Sequence, residues 1–385
     1  MGIKDMLVRE DFYNILRDTI IGYARMFLHK EIQCEYEPFE GADAWRINSE
    51  LGFVSRTPSP KGLRTYMKSE FNVRGSWLKN LIGTIGVDVI TTFPFIGTSR
   101  MIYISKGAFN PAVFIIPQNR SIRFYNYKTM TVDCIVKAGF TSKYFDNQAA
   151  FREKYHYGFL NPMLEHGEGW FREPVLTGHP LARTTDPELF EKGNAKALHF
   201  LKTIARDTLE WIPAKPYFKS LKDDALKKIQ LALEKKGIKE AIAANNLIEV
   251  AEALVKNVNA MIPTCMSHGD FQSGNIWVEP LGKTLIYDWE TAGRRSVWYD
   301  SATLSYSLRR AAGWASLLND ATGNGLFLCV PDGIKKELNV KEIMGILLLE
   351  DILFYLDDML ELPKEWGFED FDSFIRILAI LNWQL

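Results

Sequence analysis

Three side chains in the second half of the chain have the types and the spacing that phosphoryl transfer requires. Asp270 stands in the segment HGDFQSGN, which ends at Asn275, and Asp288 stands in the segment IYDWE. A carboxylate such as Asp270 can orient a hydroxyl nucleophile and accept its proton. Mg²⁺ takes oxygen ligands, and Asn275 with Asp288 would offer it an amide oxygen and a carboxylate. The pattern indicates transfer of a phosphoryl group from a Mg²⁺-bound triphosphate.

Two short apolar runs between these side chains predict a β-hairpin. The runs IWV (276–278) and LIY (285–287) flank a turn-like break at LGK (281–283). Such a hairpin would bring the loop of Asp270 close to the loop of Asp288, so that their polar groups converge. The alternative is a surface hairpin with solvated Asp and Asn side chains at its turns, because short motifs also occur by chance.

The segments HGDFQSGN and IYDWE resemble the motifs of the aminoglycoside and choline phosphotransferases, which are small-molecule kinases. The resemblance implies an α+β, protein-kinase-like bilobal fold with a small β-rich N-lobe and a mostly helical C-lobe. It implies ATP and Mg²⁺ as cofactors, Asp270 as the catalytic residue, and Asn275 and Asp288 as the metal-binding residues. It leaves the hydroxyl acceptor open between aminoglycoside-, choline- and sugar-like molecules, because a fold does not identify a substrate.

The resemblance also implies a charged pair that positions the phosphates. The predicted strand 131–137 ends in Lys137, as the third strand of protein kinases does. A helix is expected next, and its Glu153 would pair with Lys137 and aim the ammonium at the phosphates. Both residues are therefore predicted to bind the nucleotide.

The segment EPVLTGHPL resembles the hinge of the same family. Backbone groups of Glu173, Val175 and Leu176 are expected to bind adenine, and Pro174 removes one N–H donor. The turn PQNRS, between the first two predicted strands, has no glycine, so the groups that hold the phosphates stay open. Arg120 or Ser121 of this turn could contribute to holding them, but an exposed turn is the expected role of each.

The chain divides by pattern into three parts. Residues 1–108 form an N-terminal extension of unknown role, in which 9–30 predicts an amphipathic helix. Residues 109–185 would be the nucleotide-binding N-lobe with its hinge, and 186–385 the helical C-lobe with the catalytic loop and acceptor pocket. The extension could be a structural cap, or it could bind a partner or gate the substrate.

Composition excludes several other classes of protein. The 385 residues carry a net charge of -1, which gives no electrostatic case for nucleic acid. The longest apolar stretch, 81–98, contains Asp88 and Pro94, so no membrane span is expected. The charged N-terminal sequence has no apolar core of a signal peptide, and a cytoplasmic location is predicted. The cysteines have no metal-ligand spacing and are expected to be reduced thiols: Cys34, Cys134, Cys265 and Cys329.

The acidic segment 331–372 suggests a cationic acceptor, with Trp314, Trp366 and Trp383 as cation–π faces. Its carboxylates could equally form the solvated side of amphipathic helices.

Two other functions are possible. A protein kinase is disfavoured because no DFG or APE segment follows Asp288. A catalytically weak or inactive kinase-fold protein that binds or regulates stays open.

Overall fold

The computed structural model describes most of the chain, namely residues 3–70, 77–93, 95–235, 238–308, 311–320, 322–334 and 337–361. The chain forms two compact units. Unit 1 contains Met1–Asn194 and Ile276–Glu290, and unit 2 contains Ala195–Asn275 and Thr291–Leu385. Most strands belong to unit 1 and most helices to unit 2, which confirms the predicted α+β class.

The helices of the described chain are α1 (Ile3–Arg9), α2 (Phe12–Phe27), α3 (Lys61–Glu70), α4 (Trp77–Thr92), α5 (Lys143–Lys154), α6 (Pro187–Asp207), α7 (Ala214–Lys235), α8 (Ile238–Val255), α9 (Tyr299–Tyr306), α10 (Ala311–Asn319) and α11 (Val340–Glu361). The strands are β1 (Cys34–Glu35), β2 (Ala42–Asn48), β3 (Phe53–Arg56), β4 (Thr98–Ser105), β5 (Val113–Pro117), β6 (Ser121–Asn126), β7 (Thr131–Val136), β8 (Glu165–Gly167), β9 (Trp170–Pro174), β10 (His179–Pro180), β11 (Glu210–Pro213), β12 (Met261–Ser267), β13 (Ile276–Val278), β14 (Thr284–Ile286) and β15 (Gly293–Ser296).

Unit 1 is built on one antiparallel sheet of nine strands in the order β1-β4-β2-β3-β5-β6-β7-β9-β8. Strand β3 of the predicted extension pairs with β5 of the predicted N-lobe, with Val54 opposite Ile115. Residues on both sides of position 108 therefore contribute to the same sheet. The division into 1–108, 109–185 and 186–385 stays a prediction about chain organisation.

The two faces of this sheet bury different helices, because successive side chains of a strand point to opposite faces. On one face, here called the α1/α2 face, Ile122, Phe124 and Ile135 pack with apolar side chains of α1 and α2. On the opposite face, called the α3/α5 face, Tyr125, Val132 and Cys134 pack with side chains of α3 and α5, including Leu63, Met67 and Phe145.

The helix predicted over 9–30 is observed as α2, and it begins later, at Phe12. The predicted helix does not include α1, which ends at Arg9. Between the two helices Glu10 is turned inward, and its side chain is fully buried. No continuous helix begins at residue 9, because α1 ends at Arg9 and α2 begins only at Phe12. Glu10 lies between them and pairs with the buried Lys137.

Unit 2 surrounds a core of α7, α8 and α11 beside a sheet of order β11-β12-β15. The hairpin predicted after Asn275 is present in unit 1 as β13 and β14, with Ile276 opposite Ile286.

In the described ranges, no helix combines the length and the hydropathy that crossing a bilayer requires. The four cysteines are buried and free, as predicted.

Candidate active site

The HGD loop follows β12 in unit 2 and is held by one carboxylate from α9. Asp300 accepts hydrogen bonds from Ser267 Oγ at 2.8 Å, from His268 N at 2.7 Å and from Gly269 N at 3.0 Å. His268 is fully buried, and its carbonyl accepts a bond from Thr291 Oγ1 at 3.0 Å. The backbone that carries Asp270 is therefore fixed by buried groups, and Asp300 accepts three of these hydrogen bonds.

Glycine is required at position 269. Its φ is +86°, in the left-handed region that L side chains rarely adopt. A Cβ there would lie 2.5 Å from Thr291 O and 2.6 Å from an Arg295 guanidinium nitrogen. This close approach allows the chain to turn immediately before Asp270.

Asn275 is hydrogen-bonded to Asp270, as expected for residues of one site. Asn275 Nδ2 donates to Asp270 O at 2.9 Å and to Asp270 Oδ2 at 3.2 Å. Gln272 Nε2 also donates to Asp270 Oδ2, at 3.0 Å. Both of these Asn275 bonds use its amide nitrogen, and an amide oxygen is the atom that a hard cation would take.

Removal of the Asp300 carboxylate is expected to destabilise the HGD loop. Asp300→Ala removes the acceptor of Ser267 Oγ and His268 N, while Gly269 N keeps its bond to Ser267 Oγ, and each buried unsatisfied group costs about 1–3 kcal/mol. Relaxation recovers part of this cost, so we expect the free energy of unfolding to fall by about 2–4 kcal/mol. Urea denaturation measures it.

The control for Asp300→Ala is Asp223→Ala, which removes an exposed partner of Lys219 and should cost about 0.5 kcal/mol or less. Equal losses in the two variants would contradict the role assigned to Asp300.

Asp288 lies in unit 1, two residues after β14, in a loop whose next residues are anchored. Its φ of +68° is in the left-handed region, which is uncommon for a non-glycine residue. Trp289 is fully buried and stacks on Phe151 of α5 at a centroid distance of 4.4 Å. The backbone carbonyl of Glu290 accepts a bond from Asn147 Nδ2 at 2.9 Å. The residues after Asp288 are therefore tied to α5.

The prediction that Arg120 lies in an exposed turn is wrong. Arg120 is only 8% exposed; it donates to Glu290 Oε1 at 2.7 Å and lies 3.9 Å from the centroid of the Tyr144 ring. The neighbouring Asn119 accepts two bonds from Arg9. The glycine-free turn is thus fastened to the Asp288 loop on one side and to α1 on the other.

The predicted pair of Lys137 with Glu153 is not formed. The Lys137 ammonium, whose side chain is fully buried, bonds Glu10 Oε1 at 2.5 Å. Glu153 is largely exposed and lies 2.8 Å from His166 Nε2. Lys137 and Ile135 are two residues apart, so their side chains point to the same face of the sheet. This is the α1/α2 face, away from α5.

Burial lowers the pKa of Lys137 to about 8, although Glu10 opposes the shift. Glu10 also accepts from Arg9 Nε and from a terminal Arg9 nitrogen, at 3.0 and 2.8 Å. Arg9, Glu10 and Lys137 form a buried charge network in which Glu10 serves two cations. The sequence prediction missed Glu10 because it lies far from Lys137 in the chain.

The predicted hinge lines a small cavity in unit 1. Glu173, Pro174, Val175 and Leu176 are all part of its wall. The other wall residues come from α3, β6, β7, the segment between α5 and β8, β13 and the residue after β14, and they are Tyr66, Arg123, Tyr125, Val132, Asn161, Trp277 and Tyr287. The segment 173–176 therefore lies beside a cavity, as a nucleotide-binding hinge must.

One predicted hinge backbone group and one hinge side chain already have partners. The Val175 N–H donates to Met130 O at 2.9 Å, and the Glu173 carboxylate accepts from Arg152 at 2.6 Å. Arg152 also bonds the Asn161 carbonyl at 2.7 Å, so α5 contributes a buried cation to this region. Since Pro174 has no N–H, Leu176 is the predicted hinge residue best placed to donate.

The acidic C-terminal segment is only partly described. Glu350 is buried and accepts from Ser296 Oγ at 2.8 Å, and Asp351 accepts from Tyr299 at 3.0 Å. Trp314 is fully buried, so its ring offers no face for a cation. Trp366 and Trp383 lie outside the described residues. The prediction that these carboxylates form an acceptor pocket does not apply to Glu350 and Asp351.

A comparison with protein-family models matches part of the chain. Residues 177–327 match the model of the phosphotransferase enzyme family (APH). These residues carry that family's pattern. The matched range contains Asp270, Asn275 and Asp288, and the predicted resemblance and the protein-kinase-like fold class are confirmed. The family's members are phosphotransferases, so the coarser prediction of a phosphotransferase is supported for this chain.

Solved structures similar to this chain are small-molecule kinases at low sequence identity. An ethanolamine kinase of Plasmodium vivax is 15% identical over 85% of this chain and 96% of its own, with a TM-score of 0.45. A choline kinase of Streptococcus pneumoniae is 12% identical over 71% and 91%, with a TM-score of 0.42. An ADP-bound aminoglycoside phosphotransferase is 11% identical over 69% and 93%, with a TM-score of 0.42. No curated protein sequence matches.

Proposed function

We propose that this protein is an ATP-dependent, Mg²⁺-requiring kinase that phosphorylates a hydroxyl group of a small molecule. The observation that carries the proposal is the loop of Asp270: its backbone is fixed by Asp300, and its carboxylate is bonded to Asn275. The loop lies within the range that matches the phosphotransferase family. Asp270 would orient the acceptor hydroxyl and take its proton during transfer.

Asn275 and Asp288 would hold Mg²⁺. The donor set fits this ion, because it combines an amide oxygen and a carboxylate oxygen, and the Asn275 nitrogen is already used for Asp270. Bound Mg²⁺ would supply neutralisation of the charge on the β- and γ-phosphates. The contacts of Trp289 and Glu290 with α5 and Arg120 would keep the Asp288 carboxylate in place.

The cavity beside residues 173–176 would take adenine, with Leu176 as a backbone donor. Its volume of about 40 Å³ has room for water but not for a nucleotide, whose pockets measure about 300 Å³ or more. Nucleotide entry therefore requires side chains such as Tyr66 and Trp277 to move. Tyr66 comes from α3, so the N-terminal extension would take part in nucleotide binding.

Transfer of labelled phosphate from [γ-³²P]ATP to an acceptor panel tests the proposal. The panel should hold aminoglycosides, choline, ethanolamine and simple sugars, each assayed with Mg²⁺ and with EDTA. We expect Mg²⁺-dependent label in one acceptor class. A protein that binds MgATP but labels no member would instead support the alternative of a catalytically inactive binding protein.

A further inference from the structure

We propose that Arg123, and not Lys137, is the cationic side chain that contacts the nucleotide phosphates. The inference rests on the proposed ATP-dependent function and names a residue of this chain that the family resemblance did not indicate. Three features of unit 1 support it: the direction in which Lys137 points, the position of Arg123 in the sheet, and the hydrogen-bonding capacity that Arg123 retains.

Lys137 lies on the wrong face of the sheet. In β7, Val132 and Cys134 belong to the α3/α5 face, and Val132 lines the cavity. Ile135 belongs to the α1/α2 face, and Lys137, two residues later, points to the same face. Its ammonium is buried against Glu10, with the Met6 sulfur at 3.5 Å. To reach the cavity, Lys137 would have to leave this network and cross the sheet.

Arg123 occupies the matching position on the cavity face. It lies on β6, directly opposite Cys134 of β7 in the antiparallel register. Its neighbours Ile122 and Phe124 point to the α1/α2 face, so Arg123 points to the α3/α5 face and lines the cavity. On the cavity face, β7 carries the uncharged Cys134 at this level, and the adjacent strand β6 carries the cationic Arg123.

The surroundings of Arg123 fit an anionic ligand near a metal. The carboxylates of Glu173 and Asp288 both act electrostatically on its guanidinium, and Glu173 is already bonded to Arg152. Asp288 is the proposed Mg²⁺ ligand, so the electrostatic influence of the proposed metal site extends to Arg123. Arginine stays charged and presents a planar fork of donors that suits phosphate oxygens.

Two polar atoms of the cavity wall lack partners among the described residues. Arg123 Nε is a buried donor, and Asn161 Oδ1 is a buried acceptor. Buried polar groups are nearly always hydrogen-bonded, so an unsatisfied donor and acceptor in one wall indicate a polar ligand. A nucleotide offers both partners, since phosphate oxygens accept and the adenine amino group donates.

The experiment compares the affinities of ATP and adenosine by calorimetric titration in the presence of Mg²⁺. Adenosine lacks phosphates, so the affinity ratio isolates their contribution from any general damage to the cavity. Arg123→Gln should weaken ATP binding about 10- to 100-fold, the range expected for a lost charge-assisted contact, with adenosine affinity nearly unchanged. Arg123→Lys should be intermediate, because it keeps the charge but not the fork.

The comparison variants are Lys137→Met and Lys128→Gln. Lys128 is exposed in the turn between β6 and β7, so its removal controls for a general loss of positive charge. Both variants should retain the wild-type ratio of ATP to adenosine affinity. If Arg123→Gln fails to fold, the ratio measured for Arg123→Lys decides.

Three results would overturn the inference. Equal weakening of ATP and adenosine by the Arg123 variants would assign Arg123 a structural role only. Loss of the ATP preference in Lys137→Met would return the phosphate contact to Lys137 and leave the proposed function intact. A wild-type protein that binds neither ligand would remove the proposed function together with the inference.

Discussion

Asp270→Asn is expected to lower kcat for phosphoryl transfer by about 10²- to 10⁴-fold, the usual contribution of a positioned general base. Asparagine has the same shape as aspartate and can still accept from Asn275 and Gln272 through its carbonyl oxygen. It cannot take the proton of the acceptor hydroxyl. The KM for ATP should therefore change little, because the loss falls on the chemical step. Steady-state kinetics with the acceptor found by phosphate transfer measures both constants.

The matched control for Asp270→Asn is Asp332→Asn, because the Asp332 side chain is fully exposed in unit 2. This control should leave kcat and KM at wild-type values. An Asp270→Asn protein with more than about half of the wild-type kcat would contradict the assignment of Asp270 as the base.

Glu10→Gln is expected to lower the free energy of unfolding by about 3–5 kcal/mol, the cost of leaving buried charge without its partner. Glu10 is bonded to both Arg9 and Lys137, so its neutralisation leaves two buried cations. Lys137→Met should cost less, because Glu10 keeps Arg9. Chemical denaturation of the two variants and the wild type at pH 7 measures the order.

The pH dependence of the Glu10→Gln defect has a defined sign. Burial lowers the folded-state pKa of Lys137 to about 8, below its unfolded value, so the folded state loses this proton first. Stability then rises with pH wherever the unfolded state binds more protons. Without Glu10, which raises the pKa of Lys137, this pKa falls further below about 8, so the variant gains stability with pH before the wild type does and the defect should narrow up to about pH 8. A defect that widens toward about pH 9.5 would contradict the network.

The residues proposed to act in catalysis and metal binding could be selected from sequence because they lie in two short, contiguous segments. The HGD turn, Asn275 and the hairpin after it depend on local chain geometry, and the structure has the bond from Asn275 to Asp270 and the hairpin. What the sequence could not provide was the buried network behind Lys137.

Contacts between distant segments account for the failed predictions. Glu10 directly follows α1, in a part of the chain that the phosphotransferase pattern does not include, and the family match begins only at residue 177. The ion-pair partner of Lys137 depends on which face of β7 the extension covers. The burial of Arg120 depends on its contact with Glu290. The orientation of Arg123 could have been predicted from the sequence, because a charged residue between Ile122 and Phe124 must face away from their apolar contacts.

Calorimetric titration of ATP with Mg²⁺ and with EDTA, on the wild type, Asp288→Ala and Asn275→Ala, tests the central claim most directly. The account predicts that the wild type binds ATP and that Mg²⁺ strengthens the binding. The strengthening by Mg²⁺ should be lost in Asp288→Ala and reduced in Asn275→Ala, while the weaker binding in EDTA persists. A wild type that binds no ATP at millimolar concentration, or an Asp288→Ala protein with the full Mg²⁺ effect, would contradict a kinase that uses these residues.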